Sequence, residues 1–182
     1  MGAIWSQISE AVLRLFHEKE LELCVVGLEN AGKTTLLSVL STGTPQTDPP
    51  MPTIGLNVVS FSRAGGVKMK CWDVGGQEQY RSEWARYAKG CDVLVFVVDV
   101  ADRAQLPTAK HELHRLLEDP DLAKTPLLIC ANKIDIEPHA SESELVSALN
   151  LDYITEQPWV VFPVSALRGT NIEKVMAWLI KQ

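Results

Sequence analysis

The feature that most constrains this chain is one short stretch, Gly27-Leu28-Glu29-Asn30-Ala31-Gly32-Lys33-Thr34. It fits GxxxxGK[ST], a pattern in which glycines let backbone amides turn inward around an anion. The chemistry requires a strand before the loop and a helix after it, because the helix N-terminus adds its own unpaired amides to the nest. Both flanks meet that demand: residues 21–26 form an apolar strand-like run and residues 33–40 read as a helix. The stretch therefore implies an α/β fold and a phosphate ligand. Glu29, Asn30, Ala31, Gly32, Lys33, Thr34 and Thr35 are the candidate phosphate contacts. Lys33 is suited to reach the β- and γ-phosphates, and the Thr34 hydroxyl is a candidate Mg²⁺ ligand. A glycine-rich turn with a solvated lysine is the plain alternative.

The remaining pattern agrees with that fold. Strand-like runs recur at 56–61, 67–72, 93–99, 127–131 and 160–164, and helical periodicity appears at 82–88, 103–118, 142–149 and 172–180. Ser62-Arg63-Ala64-Gly65-Gly66 reads as a hairpin connection. Ser141 with Glu144 three residues on forms a capping box. Residues 42–52 carry four prolines and must be an extended loop. The expectation is a P-loop α/β domain: a mixed, mostly parallel six-stranded sheet with helices on both faces. In such sheets ligands sit at the carboxyl ends of strands. Gly27, Asp73, Asn132 and Ser165 each follow an apolar run.

Asn132-Lys133-Ile134-Asp135 suits a guanine base. A carboxylate at Asp135 can accept from guanine N1–H and the exocyclic amine, whereas adenine would leave it unpaired. Asn132 can bond the base edge, the Lys133 stem can cover the ring, and a backbone N–H in Ser165-Ala166-Leu167 can meet the guanine O6. Each element alone is compatible with an ordinary turn or helix start. Asp73-Val74-Gly75-Gly76-Gln77 supplies the other half of the site. Asp73 can hold Mg²⁺ through a water, the Gly76 amide can bond the γ-phosphate, and Gln77 can orient an attacking water. Thr53 is the second candidate hydroxyl for Mg²⁺. Between Lys33 and Arg63 there is neither lysine nor arginine, and Glu29 puts an acid in the loop itself. Hydrolysis of GTP to GDP is therefore expected to be slow without an arginine supplied in trans.

Bulk properties narrow the classes. The 182 residues are 46% hydrophobic, enough for one packed domain. A net charge of −6 argues against a nucleic-acid surface. No run reaches the roughly 18 apolar residues of a membrane span, and the N-terminus has no basic stretch or cleavage site of a secretory signal. Cys24, Cys71, Cys91 and Cys130 lie in apolar runs without metal spacing and read as buried free thiols.

Taken in order, GLENAGKTT, PTIGLN, WDVGGQ, NKID and SAL resemble the Arf and Arf-like small GTPases, and the resemblance covers essentially the whole chain. YRSEWARYAKG and HELHRLLEDPDL are most similar to the lysosome-associated Arf-like subgroup. The resemblance implies GDP/GTP cycling with Mg²⁺, a guanine-nucleotide exchange factor, a GTPase-activating protein and effectors on the switch regions. It also implies a monomer, cytoplasmic and peripheral on endomembranes (lysosome, late endosome or Golgi) in its GTP form. In the family the hairpin between positions 56 and 72 shifts register with GTP and expels an N-terminal helix. Leu56, Trp72 and Tyr87 match its effector-facing hydrophobic triad, with Leu56 standing where phenylalanine is usual. Plain aromatic burial is the other reading of Trp72 and Tyr87.

Residues 1–19 read as an amphipathic segment preceding a nucleotide-binding domain at 20–182. Ile4, Ile8, Ala11, Val12, Leu15 and Phe16 recur at helical spacing beside Trp5. Gly2 with Ser6 fits N-myristoylation, so the helix can lie on a membrane or pack on the domain. Two other functions fit the same loop. A metabolic P-loop phosphotransferase would need an acceptor site and an arginine-rich lid, and neither is evident. A non-hydrolysing nucleotide-binding scaffold would not need Gln77, Thr53 and Asp73.

Overall fold

A computed structural model describes residues 19–45, 51–63 and 66–182. The apolar runs form six strands: β1 (Lys19–Val26), β2 (Leu56–Arg63), β3 (Val67–Val74), β4 (Val93–Asp99), β5 (Leu127–Asn132) and β6 (Trp159–Val164). They lie in the order β2-β3-β1-β4-β5-β6. β2 is antiparallel to β3, and every other pair is parallel. The mixed, mostly parallel sheet read from the sequence is therefore present. β5 is buried along its whole length and β4 as far as its last residue, Asp99, as strands covered on both faces must be.

The helices are α1 (Lys33–Thr42), α2 (Glu78–Arg81), α3 (Trp84–Ala88), α4 (Leu106–Leu117), α5 (Glu142–Ala148) and α6 (Ile172–Leu179). Alternate residues of β1 feed two core layers. Leu21, Leu23 and Val25 meet Leu36, Leu40, Val175 and Leu179 of α1 and α6. Cys24 and Val26 join Trp84, Phe96, Leu113 and Leu145 in the layer under α3, α4 and α5. The helix expected at 82–88 starts only at Trp84, and a separate short helix, α2, precedes it. A tight bond from Glu83 N–H to Tyr80 C=O breaks the run, and Trp84 then turns fully inward, its ring edge-on to Phe96 at 6.2 Å. The helix expected from 103 begins as a 3₁₀ turn and becomes α-helical at Leu106.

The capping box is formed: Ser141 accepts from Glu144 N–H, and Glu144 reaches back to Ser141 N–H at 2.8 Å. Arg103 and Ser141 hold the Glu144 carboxyl down to about 2. Ser141→Ala should cost about 1 kcal/mol of stability, read from urea denaturation midpoints at neutral pH. An unchanged midpoint would mean the cap adds nothing. The amphipathic segment and Gly2 lie outside the described residues, apart from Lys19 at the start of β1.

Candidate functional site

β1 has β3 on one side and β4 on the other, and the chain crosses from the first side to the second after β3, so a crevice opens at the carboxyl end of β1. Gly27 makes the turn into it with φ 142°; a Cβ there would lie 2.2 Å from the Val97 carbonyl oxygen. α1 starts at Lys33 with no side-chain cap, leaving its first amides to face the loop. A cavity of about 390 Å³ sits over this nest, a size suited to a nucleotide. Glu29, Asn30, Gly32, Lys33, Thr34 and Thr35 line it on the loop, joined by Thr53, Gly76, Gln77 and Lys133. Ala31 is buried beneath the loop.

Lys33 is 6% exposed and folds back, its ammonium donating to Gly27 C=O and Leu28 C=O at 2.9 Å each. Burial lowers it to about 8, with Arg81 pulling the same way and Asp73 and Glu29 opposing. Ahead of it Thr34, Thr53 and Asp73 converge. The two hydroxyls are 2.8 Å apart, and both bond Asp73 Oδ2, at 2.7 and 3.3 Å. Asp73 Oδ1 is buried with no hydrogen-bond partner. Burial pushes the carboxyl above its ordinary range, against the Thr34 hydroxyl, the Lys33 ammonium and the Thr53 hydroxyl. Two hydroxyls and an orphaned carboxylate oxygen are the hard oxygen donors that Mg²⁺ takes.

The loop after β3 lies against the phosphate loop. Gly76 C=O accepts from Glu29 N–H and from Arg81 Nε, both at 3.1 Å. A Cβ at Gly76 would meet Leu28 and Glu29 backbone atoms at 2.4 to 2.5 Å, so only glycine fits. Gln77 stands at the start of α2, beside the cavity. Trp84 Nε1 donates to Gly75 C=O at 3.0 Å. Arg81 is also engaged with Glu112 of α4 at 3.4 Å, both side chains nearly buried.

At the base end the residues read as base contacts also hold the protein's own loops together. Asn132, read as a base contact, is buried and joins two loops: its Nδ2 donates to Ala31 C=O at 2.8 Å and its Oδ1 accepts from Ala166 N–H at 3.0 Å. Ser165 N–H is likewise used, by Thr170 C=O. Buried amides must find partners, and these find them inside the protein. Asp135 remains exposed, and the Ser165 hydroxyl donates to its Oδ1 at 2.5 Å. Leu167 is half exposed. Lys133, at φ 72°, pairs with Asp99 at 2.7 Å. Sequence reasoning missed Asp99, Arg81 and Glu112. An acid closing an apolar strand was the available sign of Asp99; nothing local marked the other two.

Leu56, Trp72 and Tyr87 are partly buried against one core layer. The Trp72 and Tyr87 rings stack at 6.4 Å, and the Trp72 indole N–H is buried without a partner.

Comparisons with known proteins agree with the motifs. The profile of the ADP-ribosylation factor family matches residues 8–182. ADP-ribosylation factor-like proteins 8c and 8b of Arabidopsis thaliana are each 39% identical over 178 residues, covering 98% of this chain and 96% of theirs. Among solved structures, the Arl6 BBS3 small GTPase of Trypanosoma brucei with bound nucleotide analogue GppNp superposes with a TM-score of 0.82 at 30% identity, covering 90% of this chain and 96% of that one. With its six-stranded sheet, its phosphate loop and these relatives, the chain belongs to the ADP-ribosylation factor family, as one of the Arf-like small GTPases.

Proposed function

We propose that the protein is a guanine-nucleotide switch that binds GDP and GTP with Mg²⁺, hydrolyses GTP slowly and recruits effectors to an endomembrane. The observation that carries this reading is the convergence of Thr34, Thr53 and the partnerless Asp73 Oδ1 directly ahead of Lys33. Three elements far apart in sequence meet where a γ-phosphate and its counter-ion would lie. Family membership supports guanine-nucleotide chemistry. The bound GppNp of the Trypanosoma brucei neighbour supports a triphosphate at this position.

In the proposed mechanism, the nest from Glu29 to Thr35 binds phosphate through backbone amides. Lys33 leaves its two carbonyls to meet the β- and γ-oxygens. Thr34 and Thr53 would hold Mg²⁺, with Asp73 reaching it through water; when bound, the ion neutralises developing charge on the phosphates. The Gly76 amide approaches the γ-phosphate unobstructed, and Gln77 orients water for in-line attack. Asp135 reads the guanine N1–H and amine. Ser165 holds that carboxylate in place, Lys133 and Leu167 flank the base, and Asn132 and Ala166 set the loop geometry.

Slow turnover follows from charge placement. Arg81 is the arginine next to Gly76, and it is committed to Gly76 C=O and Glu112. Stabilising charge would therefore come from an activating protein, and an exchange factor would renew GTP. We assign Leu56, Trp72 and Tyr87 to effector binding, residues 1–19 with Gly2 myristoylated to membrane attachment, and residues 20–182 to the nucleotide domain. The active form would sit on lysosomal, late endosomal or Golgi membrane as a monomer. A non-hydrolysing scaffold is the second reading, and single-turnover hydrolysis separates the two. Gln77→Leu should slow GTP cleavage ~10–100-fold while leaving GTP affinity intact, because misplacing the attacking group costs about that much. Equal rates in both proteins would remove Gln77 from the mechanism. No cleavage by the unaltered protein would favour the scaffold.

A further inference from the structure

Gly75 and Gly76 follow β3 as a glycine pair, and both are buried. Neither tolerates a side chain. A Cβ on Gly75 would lie 2.7 Å from Tyr80 Cδ2 and 3.0 Å from Thr53 C=O, and one on Gly76 would enter the phosphate loop. The peptide unit between them is therefore flanked by two residues with the widest choice of φ and ψ, and it can flip at little steric cost. Its N–H, on Gly76, and its C=O, on Gly75, lie on opposite sides of a planar trans amide. A flip exchanges which of the two faces a given side.

The groups on either side of this unit are tied down. Gly75 N–H donates to Gly55 C=O at 2.7 Å, and Gly76 C=O accepts from Glu29 N–H and Arg81 Nε. The unit itself is held by Trp84 Nε1, which donates to Gly75 C=O at 3.0 Å. Trp84 is anchored away from the loop: it is sealed in the core at the start of α3, edge-on to Phe96 of β4. With the carbonyl drawn toward the indole, the Gly76 N–H must face away from it. That amide has no partner among the described residues, and Gly76 lines the nucleotide cavity whereas Trp84 does not.

We propose, building on the GTP reading of this cavity, that Trp84 is a positioning residue for the triphosphate state. Its indole N–H sets the Gly75–Gly76 peptide so that an amide, not a carbonyl, is offered to the γ-phosphate. In the flipped arrangement the γ-phosphate would meet a carbonyl oxygen, which repels it. GDP carries no phosphate there and is indifferent to the flip. Trp84 thus acts through the backbone, from a ring built into the core, on the difference between GTP and GDP.

The test measures the affinities of GDP and GppNp with Mg²⁺, by competition against fluorescent GDP, for the full chain and two variants. Trp84→Phe keeps an aromatic ring and removes the donor. Trp84→benzothienylalanine keeps the bicyclic shape and puts sulfur where the N–H was. Each variant should bind GppNp about tenfold more weakly while GDP stays within about twofold, since an ionised acceptor loses a well-aimed amide. Equal loss of both nucleotides, or an unchanged ratio, in the benzothienylalanine variant would overturn the proposal and leave Trp84 a packing residue. That variant decides the matter even if the phenylalanine one misfolds. A failure of the switch reading would show separately, as an unaltered chain that binds neither nucleotide, and would take the proposal with it.

Discussion

Replacing Asp135 with asparagine should turn a guanine site into one that prefers xanthine. Affinity for GDP and GTP should fall about 10³-fold or more, while xanthosine nucleotides bind better than they do to the unaltered protein. The reason lies in donor and acceptor placement. The Asp135 carboxylate is oriented by the Ser165 hydroxyl, which is itself fixed by Arg168 N–H at 3.0 Å. A carboxylate accepts from both guanine donors. An asparagine amide presents a donor of its own, which suits the carbonyl that xanthine carries in place of the guanine amine. Competitive titration with labelled GDP and xanthosine diphosphate measures the exchange. Guanine binding that survives the change would remove Asp135 from base recognition, and equal loss of both nucleotides would assign it to structure alone.

Replacing Lys33 with methionine should weaken GDP and GTP about 10²- to 10³-fold, because a charge-assisted contact to phosphate is lost in a water-poor site. The fold should not suffer in proportion. The ammonium is buried against two carbonyls, and burial already drives it down to about 8. Its folded value lies below the ordinary 10.5, so between about 8 and 10.5 the folded protein binds fewer protons than the unfolded chain. Stability of the nucleotide-free protein should therefore rise with pH across that window. Nucleotide affinity should move the other way, falling up to about tenfold per pH unit above 8 as Lys33 loses its proton. Both trends should vanish in the methionine variant. Thermal melts and nucleotide titrations over the same pH series provide the check, and parallel slopes in the two proteins would sink the argument.

Much of this was legible in the chain because the relevant signals are local. A β-strand buried on both faces is a continuous apolar run, which is why 93–99 and 127–131 were found within a residue of their observed ends. The capping box needs only Ser141 and Glu144. The phosphate loop, Asp73 and Asp135 are marked by glycines and by position after strands. What was not legible depends on partners distant in sequence. The break at Ser82 arises from a tight turn and from where the Trp84 ring must go. The engagement of Arg81 needs Glu112, on a different helix. The internal bonds of Asn132 were not legible because its partners at 31 and 166 become its neighbours only when the sheet assembles.

That Asn132 tie bears on how much order a bound base must still impose. One side chain spans the carbonyl of Ala31 and the amide of Ala166, so the phosphate loop and the loop after β6 are held together by the chain's own atoms. The ordering entropy of the base end is thus spent during folding, not during capture. A base seat fixed in this way has little left to order when a purine settles into it.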